Sequence, residues 1–364
     1  KVFWFPLFLS YYKFIVMRKK YSSIELLRFF SALGVVFYHY KMNFGWHTEA
    51  INYDLLTEKL PFFEYLNVLY NYGFYGVQIF FIISGFVFAH VYLGKNNSTN
   101  AKEFFVNRFA RLYPLHFATM LLLILFQFLE PEFIRYYFDS AKNTYFDLYH
   151  FFLNIFFIQA WGFEKGWSFV LPSWSISVEI AAYIMFFFLL RYFRLYKIGL
   201  TLVIITLLFI SYKTQSLHFK YNEYVLLFFM GVAVYQLSKT NSPIILLIFC
   251  MFLLYMSFYG RNFKILLFCP SLLMITVICD NYIKNLKIKN LFTILGNTTY
   301  ALYLLHYPVM QILIWIELKY KFFNDFYESY IFFISFFLFL ILLSIASFYL
   351  FERPLNRKIR HKFL

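Results

Sequence analysis

Apolar residues in this chain come as long unbroken runs, not as alternating apolar and polar positions. Eleven runs can be marked, at about 24–44, 72–93, 113–129, 148–161, 174–190, 198–212, 224–238, 243–259, 263–279, 295–316 and 330–351. A helix rising about 1.5 Å per residue needs roughly 20 such residues to cross a hydrocarbon layer about 30 Å thick. Most of the runs approach that length, and none shows the period-2 pattern of about ten residues expected of a membrane barrel strand. The pattern predicts an all-α, polytopic membrane protein.

Loop charge decides which runs cross. The first outer loop carries Glu49, Asp54, Glu58 and Glu64 against Lys59, and the next inner loop carries Lys95, Lys102, Arg108 and Arg111. Both agree with the tendency of Lys and Arg to stay on the cytoplasmic side. If the run at 148–161 crossed, the basic loop Arg191, Arg194 and Lys197 and the cluster Lys284, Lys287 and Lys289 would lie outside, as would the tail from Arg353 to Lys362. If it dips into or lies on the outer face, all of these return to the cytoplasm. The expected topology is therefore about ten crossing helices with both termini cytoplasmic and a re-entrant or interfacial outer element at 148–172. Residues 1–21 are expected to be an N-terminal extension and cytoplasmic tail, 22–358 the membrane domain, and 359–364 a basic tail.

Composition adds weight to this reading. With 62% hydrophobic and 14% charged residues, the chain has too little polar material to cover a soluble globule. The net charge of +15 resides in short loops, where it reports orientation and not a nucleic-acid partner. Fifty-five Phe and thirty-three Tyr suit lipid-facing packing and interface belts. Cys250, Cys269 and Cys279 fall in apolar runs without CxxC spacing, so neither a disulfide framework nor a metal site is expected.

Within the first run, Glu25, Arg28 and His39 are groups that a membrane tolerates only where they face protein or water. At about 100° and 1.5 Å per residue, Arg28 and His39 share one helical face roughly 16 Å apart, and Glu25 leads the same stripe. A His with a near-neutral pKa suits proton removal from a hydroxyl, although a lone intramembrane His is also a common structural hydrogen-bonder. Arg108 and Arg111, at i and i+3 before Pro114, suit phosphate or pyrophosphate, or else simply anchor the inner end of a helix that Pro114 helps to begin. Ser84-Gly85 permits close helix approach. Glu179 follows Ser175 by one turn, near Trp174, and a carboxylate near a helix start is also favoured by the dipole. Thr299, Tyr303 and His306 share a face of a later run. His47, His90, His116, His150, His218 and His361 look like loop, interface or helix-end residues.

In this order, Glu25-Leu-Leu-Arg28 through Tyr38-His39, Gly76 to Phe86 with Ser84-Gly85, Asn107-Arg108 to Pro114, Trp174 to Glu179, Tyr300 to Pro308 and Glu352-Arg353-Pro354 resemble the acyltransferase-3 family of integral membrane O-acyltransferases. The resemblance spans about 22 to 358. Gln78 and Ile180 depart from the family pattern, which often has an acidic residue at the first position and an acidic or polar one at the second. The resemblance implies transfer of an acyl group, commonly acetyl, from cytoplasmic acyl-CoA to a hydroxyl of a cell-surface glycan or lipid-linked sugar, in a bacterial inner membrane and without a metal. It implies His39 as the catalytic residue, Arg28 as its partner, and Arg108 and Arg111 in donor use, with Arg28, Ser84 and Gly85 as further donor-site positions. Glu179 is expected to orient His39 or the sugar, and Trp174, Tyr303 and His306 to meet the acceptor. His39 would act as general base or as acyl carrier. The expected form is a stand-alone membrane domain without the SGNH hydrolase domain of some members. A glycan-lipid transporter or flippase, with the same polar residues lining a path and no chemistry, is the alternative.

Overall fold

A computed structural model describes residues 21–46, 59–93, 100–130, 144–193, 198–214, 221–239, 264–321 and 326–364. Among these, twelve α-helices carry nearly all the regular structure. They are α1 (Ser22–Trp46), α2 (Phe63–Tyr72), α3 (Gly76–Tyr92), α4 (Ala101–Leu129), α5 (Leu148–Ile155), α6 (Trp174–Tyr192), α7 (Ile198–Thr214), α8 (Asn222–Leu237), α9 (Lys264–Cys279), α10 (Leu286–Tyr320), α11 (Tyr330–Ala346) and α12 (Arg353–Phe363). One two-residue parallel pairing joins Thr144-Tyr145 to Trp167-Ser168. Among the described residues, five segments are long and apolar enough to cross a membrane: Phe63–Tyr92, Ala101–Leu129, Leu171–Tyr192, Leu286–Glu317 and Tyr330–Phe363. This is an all-α integral membrane protein. The run at 243–259, with Cys250, lies outside the described residues, as do His47 and His218.

Helix starts differ from the sequence expectation where a cap lies upstream of the apolar run. α4 begins at Ala101, not near Pro114, because the Asn100 side chain accepts from the Lys102 N–H and opens the helix there. Pro114 then sits inside a 29-residue helix, where it withholds one backbone donor. α10 likewise starts at Leu286, capped by Asn285, and carries Pro308 in its interior.

α1 packs lengthwise against α10, and α3 against α8. Glycine permits this close approach, as two positions show. A Cβ at 85 would collide with the Phe228 backbone of α8, and one at 296 would collide with the Glu25 side chain of α1. Phe37, Tyr40 and Phe44 of α1 pack on α11, with Phe37 and Phe337 stacked at 4.4 Å. The aromatic excess thus builds helix contacts as well as the lipid-facing surface.

The run at 148–161, expected to be re-entrant or interfacial, is split into a short helix and a turn. α5 spans the eight residues Leu148–Ile155 and is capped by the Asp147 side chain. The chain then reverses through Phe157 at a left-handed φ of 55° and a tight turn, Gln159–Phe163. The tip packs beside the middle of α4, with the Phe157 ring 4.3 Å from that of His116. Irregular backbone is tolerated within a membrane protein where its polar groups are met by protein. Here Ser177 donates to the Phe157 carbonyl at 2.7 Å, and accepts from the Ala160 N–H at 3.1 Å. The Trp161 indole donates to the Ser177 carbonyl, and the His116 ring meets the Asn154 carbonyl at 3.1 Å. His116 and His150, read from sequence as end and loop residues, are fully buried members of this network. Periodicity could not reveal that, because their partners lie on other elements.

Candidate active site

α1, α3, α4, α6 and α10 enclose a cavity of about 110 Å³ whose polar lining is Arg28, Ser84, Arg108, Arg111, Ser175, Glu179, Tyr183, Thr299, Tyr300 and Tyr303. Its charged groups come from three helices. Arg28 donates to Glu25 at 3.0 Å, one turn back on α1, and each side chain is only 18% exposed. The missing side chain at Gly296 leaves the space that this carboxylate fills. The Arg108 guanidinium lies 4.8 Å over the Phe88 ring, and its buried Nε has no hydrogen-bond partner among the described residues. Arg111 is exposed at the edge, within electrostatic reach of the buried Glu352.

Glu179 accepts from the Ser84 hydroxyl at 2.6 Å, and Ser84 also meets the Tyr183 hydroxyl at 3.2 Å. Glu179 therefore belongs to the arginine cavity and is held by α3, while the side chain bonded to His39 comes from α10. His39 Nδ1 lies 3.1 Å from His306 Nε2, with the rings stacked at 4.9 Å. His306 is fully buried and His39 partly so.

Tyr303 stands between the two places. Its hydroxyl bonds Ser175 at 2.7 Å and the Pro172 carbonyl at 3.0 Å, and its ring, which lines the cavity, lies 5.7 Å from that of Phe80 and 5.9 Å from that of His306. On the continuous α1 helix, the eleven residues from Arg28 to His39 correspond to roughly 16 Å of rise. The cavity and the histidine pair are thus neighbouring compartments at different depths.

Arg28, Ser84, Arg108 and Arg111, expected together at the donor site, line one cavity; Glu179 and Tyr303, expected with His39 or the acceptor, line the same cavity, and His39 and His306 form a second group. Two expected residues fall elsewhere. Gly85 faces α8, because its missing side chain is what lets the helices touch. Trp174 stacks on Tyr221 at 4.7 Å, a packing contact between α6 and the start of α8. Sequence reasoning missed Tyr183 and the Glu25–Arg28 ion pair; i, i+3 spacing was an available signal for the pair. Cys269 is buried and Cys279 exposed, and no group of three His, Cys, Asp or Glu side chains converges among the described residues.

A cationic cavity with a buried, unpartnered guanidinium nitrogen suits phosphate oxygens, which accept several charge-assisted hydrogen bonds. A histidine beyond it, partly exposed and bonded through one ring nitrogen, suits proton transfer.

Comparison with known proteins places the chain in a family. The family model Acyl_transf_3, described as an acyltransferase domain, matches residues 21–353. The peptidoglycan O-acetyltransferase OatA of Listeria monocytogenes is 24% identical over 344 residues, 81% of this chain and 50% of its own length. The acyltransferase MdmB of Streptomyces mycarofaciens is 29% identical over 168 residues, 45% of this chain and 38% of its own. YrhL of Bacillus subtilis is 25% identical over 343 residues, 79% of this chain and 48% of its own. The chain spans about half the length or less of these curated relatives. No solved structure matches.

Proposed function

This chain belongs to the acyltransferase-domain family Acyl_transf_3, and from that premise we propose that it is a membrane O-acyltransferase that moves an acyl group, acetyl in the simplest case, from cytoplasmic acyl-CoA to a hydroxyl of a cell-surface glycan or lipid-linked sugar. The observation that carries the proposal is the pairing of an arginine-lined cavity with a histidine pair just beyond it. Donor phosphates would bind at Arg108 and Arg111, with Arg28 deeper, and the thioester would reach past Tyr303 toward His39. The acceptor would arrive from outside. Its hydroxyl proton passes to His39 Nε2 while its oxygen attacks the thioester carbonyl. The C–S bond then breaks, and the leaving sulfur takes the proton back as free CoA thiol.

The topology proposed with this function has ten crossing helices, both termini cytoplasmic, and residues 148–172 re-entrant on the outer side of a bacterial inner membrane. Contacts between chain ends support it. Lys319 binds Glu130 at 2.6 Å and Lys59 lies 3.8 Å from Glu328, all in loops assigned outside. Ser22 and Ser23 both bond Asp280, and α12 packs on α4, all at ends assigned inside.

Purified protein supplied with acetyl-CoA and a glycan acceptor is expected to release free CoA thiol only when the acceptor is present. His39→Ala is expected to lower that rate by at least a hundredfold. Acceptor transport without thiol release, or full activity in the variant, would refute the proposal.

A further inference from the structure

The ring nitrogens of His39 and His306 are close enough to share one proton, and their surroundings decide where it sits. In a neutral imidazole one nitrogen donates and the other accepts. His306 Nδ1 is buried without a partner in hydrogen-bond geometry, and the Leu302 and Tyr303 carbonyls, one turn back on α10, lie beside the ring. Carbonyl oxygens only accept, so a bare nitrogen there would set lone pair against lone pair. A proton on Nδ1 removes that repulsion. His306 Nε2 is then the acceptor, and the 3.1 Å contact is a bond donated by His39 Nδ1–H. The Val35 carbonyl beside the His39 ring is also an acceptor and suits the same proton. The tautomer follows from these partners, as it must where hydrogens are assigned from the network.

From this geometry we infer that His306 is a positioning residue for the reaction proposed above: it holds His39 as the Nδ1–H tautomer, with the Nε2 lone pair free, and accepts from the imidazolium that forms during transfer. The inference rests on His39 being the catalytic residue. When the acceptor proton arrives at His39 Nε2, the positive ring keeps its Nδ1–H on His306, so the new charge forms against an acceptor already in place. The proton leaves again from Nε2 to the departing thiolate, and His306 neither gains nor loses one. Three packing features fix the arrangement. α1 lies along α10, the His306 side chain is fully enclosed, and Pro308 bars regular helical bonding to the Leu304 carbonyl just behind it. Among the described residues, no other hydrogen bond reaches the His39 ring from another helix.

The test compares His306→Leu, His306→Gln and His39→Ala by acceptor-dependent CoA-thiol release. Leu cannot accept from His39 Nδ1–H. It is expected to lower kcat about a hundredfold while KM for acetyl-CoA and acceptor stays within about threefold, a size typical of general-base assistance. Gln presents an amide near the former Nε2 and is expected to recover kcat to within about tenfold of the parent. If His39→Ala is inactive but His306→Leu keeps its kcat, the inference fails and the reading of His39 stands. If His39→Ala is active, that reading itself fails. In case His306→Leu does not fold, ring-nitrogen NMR of ¹⁵N-histidine-labelled parent protein gives a second measure, with the His39 signals assigned from His39→Ala. An Nδ1–H tautomer at His39 is expected; an Nε2–H tautomer would overturn the inference.

Discussion

Glu25 and Arg28 lie one turn apart on a helix buried by its neighbours, and the 3.0 Å bond between them lets an arginine occupy the cavity wall. A charge taken from water is tolerated where a counter-charge and hydrogen bonds replace hydration. Glu25→Gln keeps a side-chain acceptor but removes the counter-charge, and is expected to cost about 1 to 2 kcal/mol of stability, measured by chemical denaturation in detergent. An unchanged unfolding curve would show that water, and not Glu25, meets the Arg28 charge. The stripe of Glu25, Arg28 and His39 was legible from helical spacing alone. The distribution of partners was not: Glu179, expected to orient His39 or the sugar, is held at the arginines by Ser84, and His306 of α10 lies beside the catalytic candidate. Those contacts join residues far apart in sequence, which periodicity does not relate.

At the level of elements, the segment at 147–163 shows how a short helix is held. Asp147 caps α5 through the His150 N–H at 2.8 Å, and that bond, followed by the His150 side chain, holds its carboxyl below the usual range. A depressed native pKa means that the stabilisation is fully present above the unfolded-state value and is lost as pH falls through the native one. Amide protection across 147–155, followed by hydrogen exchange and corrected for intrinsic rates, is therefore expected to decline on acidification through the carboxylate range. Asp147→Asn, which keeps an acceptor but does not titrate, is expected to flatten that dependence. Equal dependence in both proteins would assign the effect elsewhere. The length and loop charge of the 148–161 run indicated that it does not cross. The plugging of its reversal by Ser177 and His116 needed the neighbouring helices in place.

Across the whole molecule, chain ends that loop charge assigns to one side meet one another, as in Lys319 with Glu130 and Ser23 with Asp280. With the native cysteines replaced by serine, Lys59→Cys and Lys165→Cys are expected to react with an impermeant maleimide in intact cells. Lys284→Cys and Lys358→Cys are expected to react only after permeabilisation. Labelling of Lys165→Cys from the inside alone would invert the placement of the outer element. The cavity lies between helices near the start, middle and end of the chain, so it exists only once they are packed together.

The sequence by itself determined the membrane class, the helices and their approximate positions, and the residue types from which a site could be made. Apolar run length, loop charge and helical spacing are local properties, and a reader of the chain can sum them. Tertiary structure decided which of those residues meet: Arg28 with Arg108 and Glu179 around one cavity, and His39 with His306 beyond Tyr303. It also set Gly85 against the Phe228 backbone and Trp174 on the Tyr221 ring. The physical reason is that burial and hydrogen-bond partnership depend on the facing helix, whose register is fixed by packing along its whole length.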